Sequence, residues 1–349
     1  MSLPRIRVGQ HSKGNRDIHR KIVRVILYSM QSNKYIALLE TLLNDPSMLE
    51  FLRYNKVITT IGFLALHSDQ AIQGIFKFKL QRYNIYLEET KRLAEKLEYN
   101  GIEYTIMKTF SAIPKDISDI DLLVSPEHAM DTRRILLKLG FYPRKTGLEQ
   151  DLYSKLVDNV TVDVELHTSI AAAGYEYYDS RRVLRRSIVF NGIRVSEPID
   201  SVLILVAHDV MKDLYIPLAH ILEFYSLLNN AECDELIKQA SLYGLSLPLS
   251  FFTILTESII GEKLRCKMTS HILKLLLPDL AKALKMDPVI KVPLLLTLTS
   301  YMENLQSKVR LEGFSTTLKQ LISLPSGKGI NALIHNVLPA KPEVKEIWE

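Results

Sequence analysis

The chain has 349 residues, of which 47% are hydrophobic and 24% charged, with a formal net charge of +5. These proportions exclude a disordered or low-complexity chain and are enough for two or three domains with full cores. The mildly basic balance suits a polyanionic ligand such as a nucleotide or RNA, but is too small to define a nucleic-acid-binding protein.

At the N-terminus, Arg5, Arg7, Lys13, Arg16, Arg20 and Lys21 interrupt any apolar signal core. Residues 1–100 read mostly as helix, with helical segments over 22–30 and 35–43. Leu80, Tyr83, Leu87, Thr90, Ala94 and Leu97 recur at spacings of three and four, which places them on one helical face. Asn100-Gly101 ends that helix, with Gly101 as its left-handed stop. The period then changes. Ile102, Tyr104 and Ile106 alternate with Glu103, Thr105 and Met107, as in a strand. A loop over 109–118, carrying Pro114, leads into a second strand over 117–124.

Ser125 then reads as a helix cap, with Pro126 in the first turn of a helix that stops at Gly140. Phe141-Tyr142 opens a further extended piece. The cleanest alternation lies over 161–166. Val162, Val164 and Leu166 form one face of that strand, and Thr161, Asp163, Glu165 and His167 the other. Asn191-Gly192, between apolar runs at 188–190 and 193–195, marks a hairpin with a type I′ turn. From residue 199 the pattern is helical again. Within it, 245–256 is short and contains Pro248, so it reads as a buried core helix; no membrane partner is expected. Cys233 and Cys266 have the spacing of neither a zinc knuckle nor a disulfide framework, which makes a cytoplasmic setting the default. The tail, with Pro325, Gly327, Gly329, Pro339 and Pro342, is loop-rich. The expected fold class is α+β: a small mixed-sheet core at 101–198 between helical regions at 1–100 and 199–349.

The concentrated chemistry lies in the middle third. In a strand, Asp119 and Asp121 point the same way, and two such charges repel unless a cation lies between them. Oxygen ligands of this kind suit Mg²⁺ or Mn²⁺. An acidic pair at a strand end also serves simply to keep an edge soluble. A two-metal site draws carboxylates from more than one strand, and Glu165 or Asp163 supplies the third. Lys108, Ser111 and Lys115 lie in the loop before the pair, where a hydroxyl and ammonium groups can meet a triphosphate; Lys115-Asp116 reads equally well as a solvated turn. His167 reads as a structural hydrogen-bonding group, or else as one that orients a carboxylate or meets substrate. His208 reads as a buried, satisfied histidine and Lys212 as a solvating lysine. Arg181, Arg182, Arg185 and Arg186 are a nucleic-acid patch or a solvated helix face.

At these residues the sequence resembles nucleotidyltransferases of the DNA polymerase β-type superfamily. More narrowly, it is similar to a largely uncharacterised bacterial and archaeal nucleotidyltransferase family with helical regions on both sides. The resemblance rests on Met107-Lys108-Thr109, Asp119-Ile120-Asp121-Leu122-Leu123-Val124, Leu139-Gly140-Phe141, Val164-Glu165-Leu166-His167 and Leu205-Val206-Ala207-His208. It spans about residues 80–230. It implies transfer of a nucleoside monophosphate from an NTP, ATP in the first instance, to a hydroxyl of an acceptor, with Mg²⁺ or Mn²⁺ as cofactor. Asp119, Asp121 and Glu165 would be the catalytic metal ligands, and Lys108, Thr109, Ser111 and Lys115 the nucleotide-binding residues.

The chain departs from the superfamily pattern in one place. Thr109-Phe110-Ser111 stands where the first motif carries glycine followed by glycine or serine, and no glycine occurs between Gly101 and Gly140. Two other readings therefore stay open: a non-catalytic relative that binds metal or nucleotide, and a glycosyltransferase that holds a nucleotide sugar through a DxD-bound Mn²⁺.

Overall fold

The computed structural model describes residues 20, 22–27, 46–65, 73–110, 113–147, 150–172, 174–266 and 290–323. Residues 22–27 are helical, as expected; the helix expected over 35–43, Ser111 and the loop-rich tail lie outside the described residues. The fold is α+β, with helical regions before and after a mixed sheet.

In chain order the strands are β1 (Tyr104–Met107), β2 (Ile120–Val124), β3 (Tyr142–Thr146), β4 (Gln150–Val157), β5 (Val160–His167), β6 (Ile170–Ala172), β7 (Tyr175–Tyr178), β8 (Ile188–Phe190) and β9 (Ile193–Val195). Seven of them form one sheet in the order β3-β4-β5-β2-β1-β9-β8, while β6 and β7 pair separately. β2 runs antiparallel to β1 and parallel to β5. The helices that matter for the site are α1 (Pro46–Tyr54), α2 (Ile58–Ala65), α3 (Gln73–Tyr99), α4 (Ala129–Lys138), α5 (Ser180–Arg186), α6 (Pro198–Ala207) and α7 (Leu218–Asn230).

The period-two pattern sorts the two faces of the sheet. Ile120, Leu122 and Val124 of β2 and Val160, Val162, Val164 and Leu166 of β5 pack with Tyr86, Leu93 and Leu97 of α3 and with Ile135 and Leu136 of α4. Met107 and Leu123, on the opposite face, join a second core built from residues 22–26, α1, α2 and the helices after residue 198. Asp121 and Glu165 have the parity of this second face, so they lie at the boundary between the sheet and the helical layer.

The turns follow their residues. Gly101 takes φ +66 at the end of α3, and Asn191 and Gly192 take φ +51 and +79, the pair of positive values that a type I′ hairpin needs. Ser125 behaves differently from the expectation. Pro126–His128 is a 3₁₀ turn, the α-helix begins after it, and the Ser125 side chain makes no capping bond. Residues 245–256 do lie in a buried helix, Ser246–Ile260.

Two other sequence readings need correction. Cys233 and Cys266 are joined in a disulfide with their Cα atoms 5.2 Å apart. Cys233 opens the helix Cys233–Leu242 and Cys266 follows Ser246–Ile260, so antiparallel helices rather than local spacing bring them together. Persistent disulfides belong mainly to oxidising compartments, so the cysteine argument for a cytoplasmic setting falls away. The arginines of α5 are also not all a solvated face. Arg182 Nε lies 3.1 Å and Arg186 Nε 3.4 Å from the carboxylate of the fully buried Asp200, while Arg181 and Arg185 remain exposed. Among the described residues, no helix is long and apolar enough to cross a membrane.

One side chain couples α3 to the strand ends. The Tyr86 hydroxyl lies 2.8 Å from Ser118 O and 3.1 Å from Thr161 O, and it accepts from Asp163 N–H at 3.2 Å and from Arg82 at 2.9 Å. Tyr86→Phe keeps the ring packing and leaves those buried backbone groups short of a partner. We expect it to lower unfolding free energy by about 1–3 kcal/mol in urea titrations with an unchanged m-value.

Candidate active site

The site begins where β1 ends. Lys108 takes φ +50, a left-handed conformation that glycine adopts at least cost. Thr109 closes the turn: its N–H donates to Met107 O, its hydroxyl donates to the same carbonyl at 3.0 Å, and its Oγ1 accepts from Asp121 N–H at 3.0 Å. The turn carries the Lys108 ammonium to 3.3 Å from Asp121 Oδ1.

The loop into β2 is fastened by the helical region before it. Asp116 accepts from the Thr59 N–H at 3.2 Å and the Thr59 hydroxyl at 2.5 Å, at the N-terminus of α2. Thr60 donates to Pro114 O at 2.5 Å, and Arg82 Nε donates to Ile117 O at 3.2 Å. Ser118 then donates to Asp119 Oδ2 at 2.9 Å. Parallel pairing of β2 with β5 sets Asp121 opposite Glu165 and Leu123 opposite His167. His167 Nε2 lies 3.2 Å from Asp121 Oδ1 and 3.7 Å from Glu165 Oε2. One ligand atom each from Asp121, Glu165 and His167 lie within 4.8 Å of one another. Asp163 is engaged elsewhere, accepting from Ser154 of β4 at 2.5 Å.

Facing this group is a π-helical turn, His208–Asp213, that continues α6 and ends at Leu214 with φ +60. His208, Asp209 and Asp213 form a second group with ligand atoms within 4.8 Å. His208 Nδ1 is 3.3 Å from Asp213 Oδ2, and His220 Nδ1 of α7 is 2.8 Å from Asp209 Oδ2.

The charges act on one another. Burial, with repulsion from Asp121 and Glu165, pushes Asp119 up to about 6 despite Lys56 and Lys108. Burial would also raise Asp121, but Lys108 and the bond from His167 outweigh it and hold that carboxyl well below its usual range. Glu165 is likewise lowered, because His167 outweighs burial. Burial disfavours the imidazolium of His167, yet its bonds to Asp121 and Glu165 raise it. Asp213 is held down against burial by His208, Lys108 and Lys56. The same lysines thus act on both acidic groups, and His208 acts on Asp121, so the two groups share one field. Burial and two neighbouring carboxylates that raise the proton affinity of a third form a donor set that a divalent cation relieves. Its oxygen donors fit Mg²⁺, and the adjacent imidazole fits Mn²⁺ as well.

Asp121 and Glu165 come together with His167, Lys108 is ion-paired with Asp121, and Asp119 is linked to them through charge alone. Thr109 supports the backbone of Asp121. Lys115 is buried and turned away, 2.5 Å from the Glu223 carboxylate of α7. The reading from sequence missed Asp209, Asp213 and Lys56, and it took His208 for a core residue. Asp209 and His208 did carry a signal, the Leu205-Val206-Ala207-His208 element; Lys56 and Asp213 carried none.

A family profile described as an uncharacterised nucleotidyltransferase matches residues 63–261, more than half of the chain. The chain belongs to this family. No curated protein and no solved structure matches it. The family match includes Asp119, Asp121, Glu165 and the π-helical turn, and it begins after Lys56. The nucleotidyltransferase family and the two acidic groups agree, because transfer at a phosphate needs concentrated charge in a positioned site.

A pH test follows from Asp119. Its raised value means that a cation binding below about pH 6 must displace a proton. Mg²⁺ should therefore bind about tenfold more tightly at pH 7 than at pH 5, read as a larger Mg²⁺-induced rise in melting temperature. Asp119→Asn should remove most of that pH dependence.

Proposed function

We propose that this nucleotidyltransferase has a core of DNA polymerase β type and transfers a nucleoside monophosphate from an NTP, ATP in the first instance, to an acceptor hydroxyl. The observation that carries the reading is Asp121 opposite Glu165 on parallel strands, with Asp119 in the same field. In the reaction the acceptor oxygen bonds to the α-phosphorus, the bond from that phosphorus to the bridging oxygen breaks, and pyrophosphate leaves. Asp119, Asp121 and Glu165 would hold Mg²⁺ or Mn²⁺, which supplies charge neutralisation at the phosphate. Glu165, partly exposed and 3.7 Å from His167 Nε2, would take the proton of the acceptor. Lys108 stabilises the charge that grows on the phosphate oxygens. Thr109 fixes the Asp121 backbone, and His167 orients both carboxylates. A small molecule, a protein side chain and an RNA end all present the hydroxyl this step requires.

A specific observation supports a second, binding-only reading. Where the superfamily carries its motif glycine region, this chain has Lys108 in a left-handed conformation, ion-paired with Asp121. The two readings separate on turnover. With Mg²⁺, α-labelled NTPs and pooled acceptors, the transfer reading expects pyrophosphate release. Asp121→Ala and Glu165→Gln should each reduce it by roughly a thousandfold or more, the scale of single charge-stabilising groups in phosphoryl transfer. NTP binding without pyrophosphate release across all pools would establish the binding-only reading. Selective binding of nucleotide sugars would overturn both.

A further inference from the structure

Transfer from an NTP requires a cation for the leaving polyphosphate, and the cations expected in that role are committed elsewhere. Lys115 lies 2.5 Å from Glu223 and the neighbouring Lys79 3.6 Å from Asp116, while Lys108, 3.3 Å from Asp121, is taken by the reacting phosphate in the transfer reading. Lys56 is different. Among the described residues its ammonium has no ion pair within 4.0 Å and no hydrogen bond, although its charge feels Tyr215, Asp213, Asp119 and Asp209. Burial would favour the neutral amine, but these neighbours outweigh it and keep the lysine charged.

The neighbouring carboxylates do not need Lys56 for satisfaction. Asp209 has His220 at 2.8 Å, Asp213 has His208 at 3.3 Å, and Asp119 has the Ser118 hydroxyl at 2.9 Å. The turn that presents Lys56 is over-determined. Lys56 takes φ +55, a costly conformation for a residue with a Cβ. Its carbonyl accepts from Asp116 N–H at 3.1 Å, and its N–H donates to Arg53 O at 3.0 Å. The preceding Asn55 accepts from Leu218 N–H at 3.0 Å and Ala219 N–H at 3.1 Å, at the start of α7. Bonds to the loop before β2 and to the start of α7 thus hold this left-handed backbone beside Asp116, three residues before Asp119 in the loop that leads into the acidic group.

The geometry points to Lys56 as the residue that binds the β- and γ-phosphates of the nucleotide, taking the place of the glycine-rich cradle absent from this chain. This rests on the transfer reading above. A fixed ammonium gains interaction as charge accumulates on departing pyrophosphate, and it needs no glycine for close backbone approach.

The test uses the full-length chain with Mg²⁺ and four probes: inorganic pyrophosphate, tripolyphosphate, ATP and AMP, by calorimetry. Lys56→Met should weaken pyrophosphate, tripolyphosphate and ATP by about tenfold to a hundredfold while leaving AMP affinity unchanged and Mg²⁺ affinity no weaker. Lys56→Arg should recover most of the loss. In the wild-type chain, mass-spectrometric lysine acetylation should show Lys56 protected by Mg²⁺-pyrophosphate, a readout that needs no variant to fold. Equal weakening of AMP and pyrophosphate, unchanged pyrophosphate binding in Lys56→Met, or no protection of Lys56 would overturn the assignment and leave the transfer reading standing. A wild-type chain that binds neither ATP nor pyrophosphate would overturn both.

Discussion

Parallel pairing of β2 with β5 places Asp121 beside Glu165, and most of the surrounding structure answers that one placement. Two carboxylates on adjacent strands, with Asp119 next to them, repel one another in a partly buried setting. Without a bound ion the fold relieves the repulsion with Lys108 and His167, and Asp119 carries the residual strain as a raised proton affinity. A charged cluster of this kind adds little to stability compared with apolar packing, which is why it is the candidate site in this fold.

The neighbouring elements act as clamps on this arrangement. α3 fixes the ends of β2 and β5 through Tyr86 and Arg82. α2 takes Asp116 at its positive N-terminus and so anchors the loop that leads to Asp119. Three non-glycine residues next to these groups in the chain or acting on them by charge, Lys56, Lys108 and Leu214, hold left-handed backbone conformations, and the π-helical turn adds a fourth irregularity. Strained backbone persists where surrounding bonds over-determine it, and such positions gather at functional sites.

What the sequence made legible is what short-range periodicity encodes. The period-two alternation located β1, β2 and β5, Asn191-Gly192 located the β8–β9 hairpin, and Gly101 located the end of α3. Parity within β2 and β5 put Asp121 and Glu165 on the polar side of their strands; Asp119, expected in the same strand, precedes β2, which begins at Ile120. The missed features depend on partners far along the chain. β4 was obscured because Asp151, a charged residue, is buried in it; its partner is Arg133 at 2.8 Å, in a different element. Lys115 looked free until Glu223 arrived from α7, and the disulfide was hidden because helix packing, not spacing, joins Cys233 to Cys266. His208 looked like a core histidine because α6 is buried along nearly its whole length, but it opens the π-helical turn and lies 3.3 Å from Asp213, a partner that carried no signal in the sequence.

The central claim is that the Asp121–Glu165 pair exists to hold a divalent cation. A crystal of the protein soaked in Mn²⁺ with a non-hydrolysable ATP analogue tests it through the anomalous difference map. The account predicts a Mn²⁺ peak within coordination distance of both Asp121 and Glu165, with Lys108 moved off Asp121. A peak confined to His208, Asp209 and Asp213, or a nucleotide bound with Lys108 still on Asp121 and no Mn²⁺ between the strands, would contradict it.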